Sequence, residues 1–312
     1  MINAGSSAGG PPVCRTRGPV RTGMKRFDAA ASFFIMFGLV ALSGCGDLPR
    51  VDPFGMPGLL PLDSVANRNG GQLGYATLMR IGEAARAGGD LATAVTVYRR
   101  AAAMDTTAVP PFVGAGDALV EMGNFNEAIV AYNSALVRSE HDHDALRGLA
   151  RAYLISGKPA LAGQPLATAF QDNPDDPKLL ELIGVADDFV GRHEEAQARY
   201  RRGLELAPAD PALSLDLALS LALNGNYLEA IGILRPIATA PSASPRERLT
   251  LALIYGLQGD RRAAEQMARR DLDPESVQSN LAYYENLRKL SPEARHRAIQ
   301  ALGAGAKSDA PS

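Results

Sequence analysis

Four histidines and two cysteines, with a few arginine and carboxylate positions, are the groups in this 312-residue chain that could do chemistry. His141 and His143 sit in the run His-Asp-His-Asp, close enough for both imidazoles to reach one metal ion. A closed zinc site takes four ligands, and no further His or Cys stands where it could complete one, so the run reads as a solvated acidic loop. His193 falls at a packing position, and His296 is expected on the outer side of the last helix. The sequence holds no Ser-His-Asp logic and no glycine-rich phosphate loop. The pairs Arg99-Arg100, Arg201-Arg202 and Arg261-Arg262 read as solvated charge. Recognition is what remains. Arg147 and Arg151 lie one turn apart on a helix face, a spacing suited to a carboxylate or a chain terminus. Pairing with Asp117 and Glu181 would satisfy the same two side chains. No enzyme activity, cofactor or metal is expected.

The elements that hold these groups repeat. Gly89, Gly123, Gly157, Gly191, Gly225 and Gly259 are spaced by 34 residues, and so are Ala94, Ala128, Ala162, Ala196, Ala230 and Ala264. A period of 34 is that of a two-helix unit stacked into an array. Each glycine separates two apolar-periodic stretches, where the chain must leave a helix through a left-handed residue. A small residue precedes it by seven positions in every copy: Gly82, Gly116, Ala150, Gly184, Ala218 and Ala252. Small side chains in both series are expected to let the first helix (A) and second helix (B) of a unit meet backbone to backbone. Four residues beyond each alanine comes a large knob, Tyr98, Tyr132, Leu166, Tyr200 or Leu234, with Ala268 in the sixth copy. Asp176-Pro177, Asp210-Pro211 and Ser244-Pro245 each place a capping side chain before a proline at the first helical position. Glu247 completes a capping box with Ser244. Pro165 and Pro236 fall inside predicted B helices, which should be kinked or shortened.

These positions resemble the tetratricopeptide repeat (TPR), from residue 75 to about 274. The resemblance implies an all-α, right-handed superhelical solenoid of about six helix-turn-helix repeats whose concave face holds a peptide or protein. It places Glu83, Arg86, Asp117, Arg147, Arg151, Glu181 and Asp188 on that face as candidate partner-binding residues. It places Leu215, Leu219, Leu223, Leu249, Leu253 and Leu257 there too, an apolar stripe that the C-terminal helices or a partner helix must cover. Residues 275–302 form two amphipathic segments that cap the array, the first carrying Val277, Leu281, Tyr284, Leu287 and Leu290 on one face. Residues 303–312 read as a disordered tail.

Ahead of the array, residues 1–23 read as an upstream extension. Met24 opens a segment (24–44) with Lys25 and Arg26, then an apolar run from Ala29 to Leu42 that is too short to span a bilayer. Leu42-Ser43-Gly44-Cys45 resembles the bacterial lipobox, which implies that Cys45 is lipidated and becomes the mature N-terminus. An ordinary secretory peptide or an uncleaved anchor is the alternative. Gly46 after Cys45 resembles the outer-membrane sorting class, implying a periplasm-facing protein. Residues 45–74, with Pro49, Pro53, Pro57 and Pro61, read as a semi-extended tether, or as a segment docking Phe54 to Leu62 on the first repeat. The formal net charge of −2 gives no basic bias towards nucleic acid.

The stretch Asn280 to Leu287 resembles the end of TPR lipoproteins from Tad (Flp pilus) assembly systems. That resemblance implies a non-enzymatic scaffold with protein partners in the pilus or secretion apparatus, the secretin included. TPR lipoproteins of type IV pilus secretin assembly, and adaptors for peptidoglycan enzymes or exopolysaccharide export, are the other readings.

Overall fold

The computed structural model describes residues 73–305, with side chains through residue 299. The expectations for the leader, Cys45 and most of the tether fall outside the described residues, as do those for residues 306–312.

Among the described residues the chain is all helical. Six hairpins follow one another: α1 (Tyr75–Ala87) with α2 (Leu91–Met104), α3 (Pro110–Glu121) with α4 (Phe125–Leu136), and α5 (His143–Ile155) with α6 (Pro159–Asp172). Then come α7 (Pro177–Phe189) with α8 (His193–Leu206), α9 (Pro211–Leu223) with α10 (Tyr227–Ala238), and α11 (Pro245–Gln258) with α12 (Arg261–Ala268). Two further helices close the described chain, α13 (Pro274–Lys289) and α14 (Pro292–Gly305), the last running past residue 302. Each helix packs on the next, and the first helices of successive hairpins also touch, so the array winds as a superhelix.

Local chemistry sets the boundaries. All six periodic glycines have positive φ, from 71° to 104°. A side chain is strained in that left-handed region whatever space surrounds it. Asp142, Asp210 and Asp260 accept backbone N–H bonds at their helix starts, and Ser244 with Glu247 forms the capping box. The alanines of the periodic series are fully buried. Ala196→Leu is therefore expected to cost about 1–3 kcal/mol by overpacking, read as a lowered melting temperature.

Two expectations change. Pro165 and Pro236 do not shorten their helices: α6 has 14 residues and α10 has 12, matching α2 and α4. Each proline removes one intrahelical bond, while Leu166 with Ala169, and Leu234 with Ala238, stay buried. At the three glycines of the small-residue series the close neighbour is a tyrosine ring. A Cβ on Gly82 would lie 2.7 Å from the Tyr98 ring, one on Gly116 2.6 Å from Tyr132, and one on Gly184 2.5 Å from Tyr200. Glycine makes room for a tyrosine edge. Where the small residue is alanine, at Ala150 and Ala218, the knob is Leu166 or Leu234. In the first five hairpins the two positions are matched in volume; the sixth has Ala252 and Ala268.

The leucine stripe is covered from within the chain. Leu215, Leu219, Leu223, Leu249, Leu253 and Leu257 are buried in one core with Val277, Leu281, Tyr284 and Leu287 of α13 and Ile299 of α14. α13 packs on α11 and α12, and α14 on α9.

Candidate functional site: the concave groove

The first helices α3, α5, α7, α9 and α11 line a groove of about 590 Å³. Their side chains point inward because each helix buries its opposite face on the second helices, leaving one polar row for the inner surface. Of the residues expected there, Asp117, Arg147, Arg151 and Glu181 do line it.

Their pairing differs from the expected one. Arg147 bonds Asp176 at 2.8 Å and also pairs with Asp144 one turn away, so its fork is already filled. Asp117 accepts from the Tyr132 hydroxyl at 2.7 Å and faces Arg86 at 3.5 Å, while Arg86 also reaches Glu121 at 3.1 Å. Arg151 is exposed and forms no ion pair among the described residues. It is the guanidinium free to meet a ligand. Glu83 is exposed on α1, away from this groove.

Asp188 is not a surface residue. It is 2% exposed, accepts from the hydroxyls of Tyr200 at 2.9 Å and Ser220 at 2.8 Å, and shares a 2.6 Å bond with His193 Nδ1. Burial raises its carboxyl from the ordinary value, and these partners act against that rise. It joins α7, α8 and α9 and is unavailable to a partner. His296 is likewise turned inward, its ring 5.0 Å from that of His193 at 70°. Burial, then the neighbouring imidazole, lowers its pKa. The outer face expected for it belongs to a helix without a docking partner, whereas α14 lies against α9.

The feature that sequence reasoning missed lies behind the groove wall, next to Arg246. Asp216 on α9 is fully buried, and neither carboxylate oxygen has a protein donor. Arg246 on α11 lies 3.9 Å away, with its own Nε buried and without an acceptor. Burial is the largest influence on Asp216 and pushes its carboxyl well above the ordinary range, and neighbouring Glu181 adds to it. Glu181 is raised as well, by burial and then by Asp210, with Arg246, Lys178 and Arg151 opposing. A signal was present: the equivalent residues of the other repeats are Arg80, Gly114, Gly148, Leu182 and Thr250, and none of them is acidic.

Chemically the groove offers acceptors and a few free donors. Among the described residues no three His, Cys, Asp or Glu side chains are grouped to hold a metal ion. His141 instead pairs with Asp172 at 2.7 Å. A second, more apolar depression of about 480 Å³ lies outside the groove between α2, α3 and α4, around Phe112, Leu119 and Val130. No helix among the described residues is long and apolar enough to cross a membrane.

Residues 113–177 and 183–245 match the family model described as tetratricopeptide repeat. The cellulose synthase 1 operon protein C of Komagataeibacter xylinus is 27% identical over 157 residues, covering 49% of this chain and 12% of that protein. A TPR repeat-containing protein of Treponema pallidum is 30% identical over 179 residues, covering 56% of this chain and 22% of that protein. The chain thus spans under a quarter of the length of these relatives. The crystal structure of a tetratricopeptide repeat protein from Parabacteroides merdae superposes with a TM-score of 0.60 at 17% identity, covering 72% of this chain and 89% of that one. Repeat period, left-handed glycines, hairpin stacking and these likenesses agree on the fold: the chain folds as a helical solenoid of the tetratricopeptide-repeat type.

Proposed function

We propose that this chain is a non-enzymatic scaffold that takes hold of a protein partner in its concave groove. The observation that carries this is the groove itself, about 590 Å³ in volume, with Arg151 exposed and uncommitted on its wall. In the finer reading, Cys45 carries lipid, the array faces the periplasm from the outer membrane, and the partners belong to a Tad/Flp-type pilus or secretion apparatus. The lipobox resemblance supports the anchor, and the Asn280 to Leu287 resemblance supports the pilus. Leu281, Tyr284 and Leu287 of that stretch are buried in the core, so its apolar residues serve folding as well. Likeness to a cellulose synthase operon protein favours a second reading, an adaptor in exopolysaccharide export.

Arg151→Glu tests the scaffold reading with the least local damage, since Arg151 forms no ion pair among the described residues and only its through-space effect on Glu181 is reversed. Arg147→Glu would also break the bond to Asp176, which caps α7 by accepting from Lys178 N–H. In pull-downs from membranes, Arg151→Glu should recover at least severalfold less partner than the wild type, at an unchanged melting temperature. Equal recovery overturns the groove assignment. Pilus or polysaccharide-export components in the wild-type sample separate the two readings.

A further inference from the structure

We infer that His193 and His296 form a pH-operated latch, holding the closing helix α14 on the array at neutral pH and loosening it in acid. The latch is independent of the groove and of whatever fills it.

The hold on α14 is narrow. Of its described side chains Ile299 is buried, Ala294, Arg295, His296 and Ala298 are part-buried, and Pro292, Glu293 and Arg297 are exposed. Arg295 donates from Nε to the Leu287 carbonyl at 3.1 Å and from a terminal nitrogen to the Tyr227 hydroxyl at 2.9 Å. His296 supplies the remaining polar hold. Its ring meets that of His193 edge to face, 5.0 Å between centroids at 70°, and it bonds the backbone of Phe189 where α7 ends. A terminal helix with so few buried side chains opens more readily than the hairpins behind it.

The opposing ring is fixed. His193 begins α8, and its Nδ1 lies 2.6 Å from Asp188, whose carboxylate also accepts from Tyr200 and Ser220. The two imidazoles border a depression of about 530 Å³ with Phe189 and Leu223, at the turns that end α7 and α9. Loosening α14 would bare those two side chains together with Ile299.

Charge decides whether the rings stay together. Neutral imidazoles tolerate an edge contact in a part-buried place, whereas an imidazolium there gives up water and gains a basic neighbour. Burial first, then His193, lowers the His296 value, while the Phe189 backbone and Asp188 act the other way. In water the same ring has the ordinary value of about 6.5. The undocked helix therefore takes up a proton more readily than the docked one, and docking weakens as pH falls below about 6.5.

The other charged groups nearby do not reverse that sign. Asp187 is occupied by Arg192 at 3.0 Å. Glu293, which accepts from Ser291 at 2.8 Å, and Arg295 and Arg297 belong to α14 and travel with it. Protonating Asp188 would remove its support for a charge on His296, which again favours release.

Hydrogen exchange at the Arg297, Ala298 and Ile299 amides of the full chain, divided by intrinsic rates, measures the opening of α14. Between pH 7.5 and pH 5.0 protection should fall at least fivefold, within the roughly thirtyfold that one proton with an ordinary value of about 6.5 allows. Protection at Ala196 and Ala218, inside the array, should hold. His296→Phe keeps a ring and His296→Gln a polar side chain, both without a titrating nitrogen, and each should abolish the pH response. An NMR titration of the His296 ring in the wild type does not depend on how the variants pack, and its midpoint is expected below about 6.5. Equal wild-type protection at both pH values, an undiminished response in either variant, or a midpoint at or above that value would overturn the latch.

Discussion

Gly116→Ala together with Gly148→Ala is expected to destabilise the array by on the order of 2 kcal/mol or more, and Tyr132→Leu to restore at least half of that loss. Both glycines face the Tyr132 ring. A Cβ on Gly116 would approach it to 2.6 Å, and one on Gly148 would sit closer still. The ring is 1% exposed and anchored at its tip by the bond to Asp117, so it cannot swing aside. Two effects compete. Alanine is the better helix former by about 1 kcal/mol per site, which favours the change. Overpacking typically costs about 1–3 kcal/mol per site, and here it acts from both faces of one immobilised ring. Steric cost wins. The repair follows from Ala150 with Leu166, where the chain itself uses the smaller pair. Denaturation of the wild type, the double variant and the triple variant checks this. A domain of this size moves by roughly 2–4 °C per kcal/mol. If the double variant melts no lower than the wild type, the ring is not the wedge.

Asp216→Asn should do the opposite at neutral pH and nothing at acid pH. In the folded chain its carboxyl is raised well above the ordinary value, chiefly by burial. The folded state therefore holds a proton that the unfolded chain has lost, and stability falls as pH rises from the unfolded carboxylate value, about 4, towards the folded one. Below that window both states are protonated and Asp216 carries no penalty. Asparagine removes the titration while keeping an acceptor for Arg246. The expected gain at pH 7 is about 1–3 kcal/mol, the scale of relieving one unsatisfied buried polar group. At pH 4 the gain should shrink to near zero. Thermal unfolding of both proteins across that interval measures it, and a pH-independent difference would contradict the buried-carboxyl account.

Much of the fold was legible because a repeat states its rule several times. One glycine proves little, but six at a fixed spacing, all later found at positive φ, identify every hairpin turn. Capping worked for the same reason: Ser244 and Glu247 act within one turn, so their roles are written in adjacent residues. What the sequence hid depends on contacts between distant elements. His296 faces inward because α14 folds back on α9, and no local pattern encodes that return. Asp188 shared a motif position with the groove-lining residues, yet its neighbours in space, Tyr200 and Ser220, come from α8 and α9. The small-residue series was visible, but not that its glycines face tyrosine rings. Whether a glycine admits a backbone or a ring depends on what lies opposite, and only volume matching between paired positions tells them apart.

That matching has a mechanical corollary. The hairpins are shimmed by fillers of different thickness: tyrosine in the first, second and fourth, leucine in the third and fifth, and alanine in the sixth. Each filler is offset by the residue it faces, glycine against tyrosine and alanine against leucine, so exchanging one filler alone would alter the spacing of its hairpin from behind the groove wall.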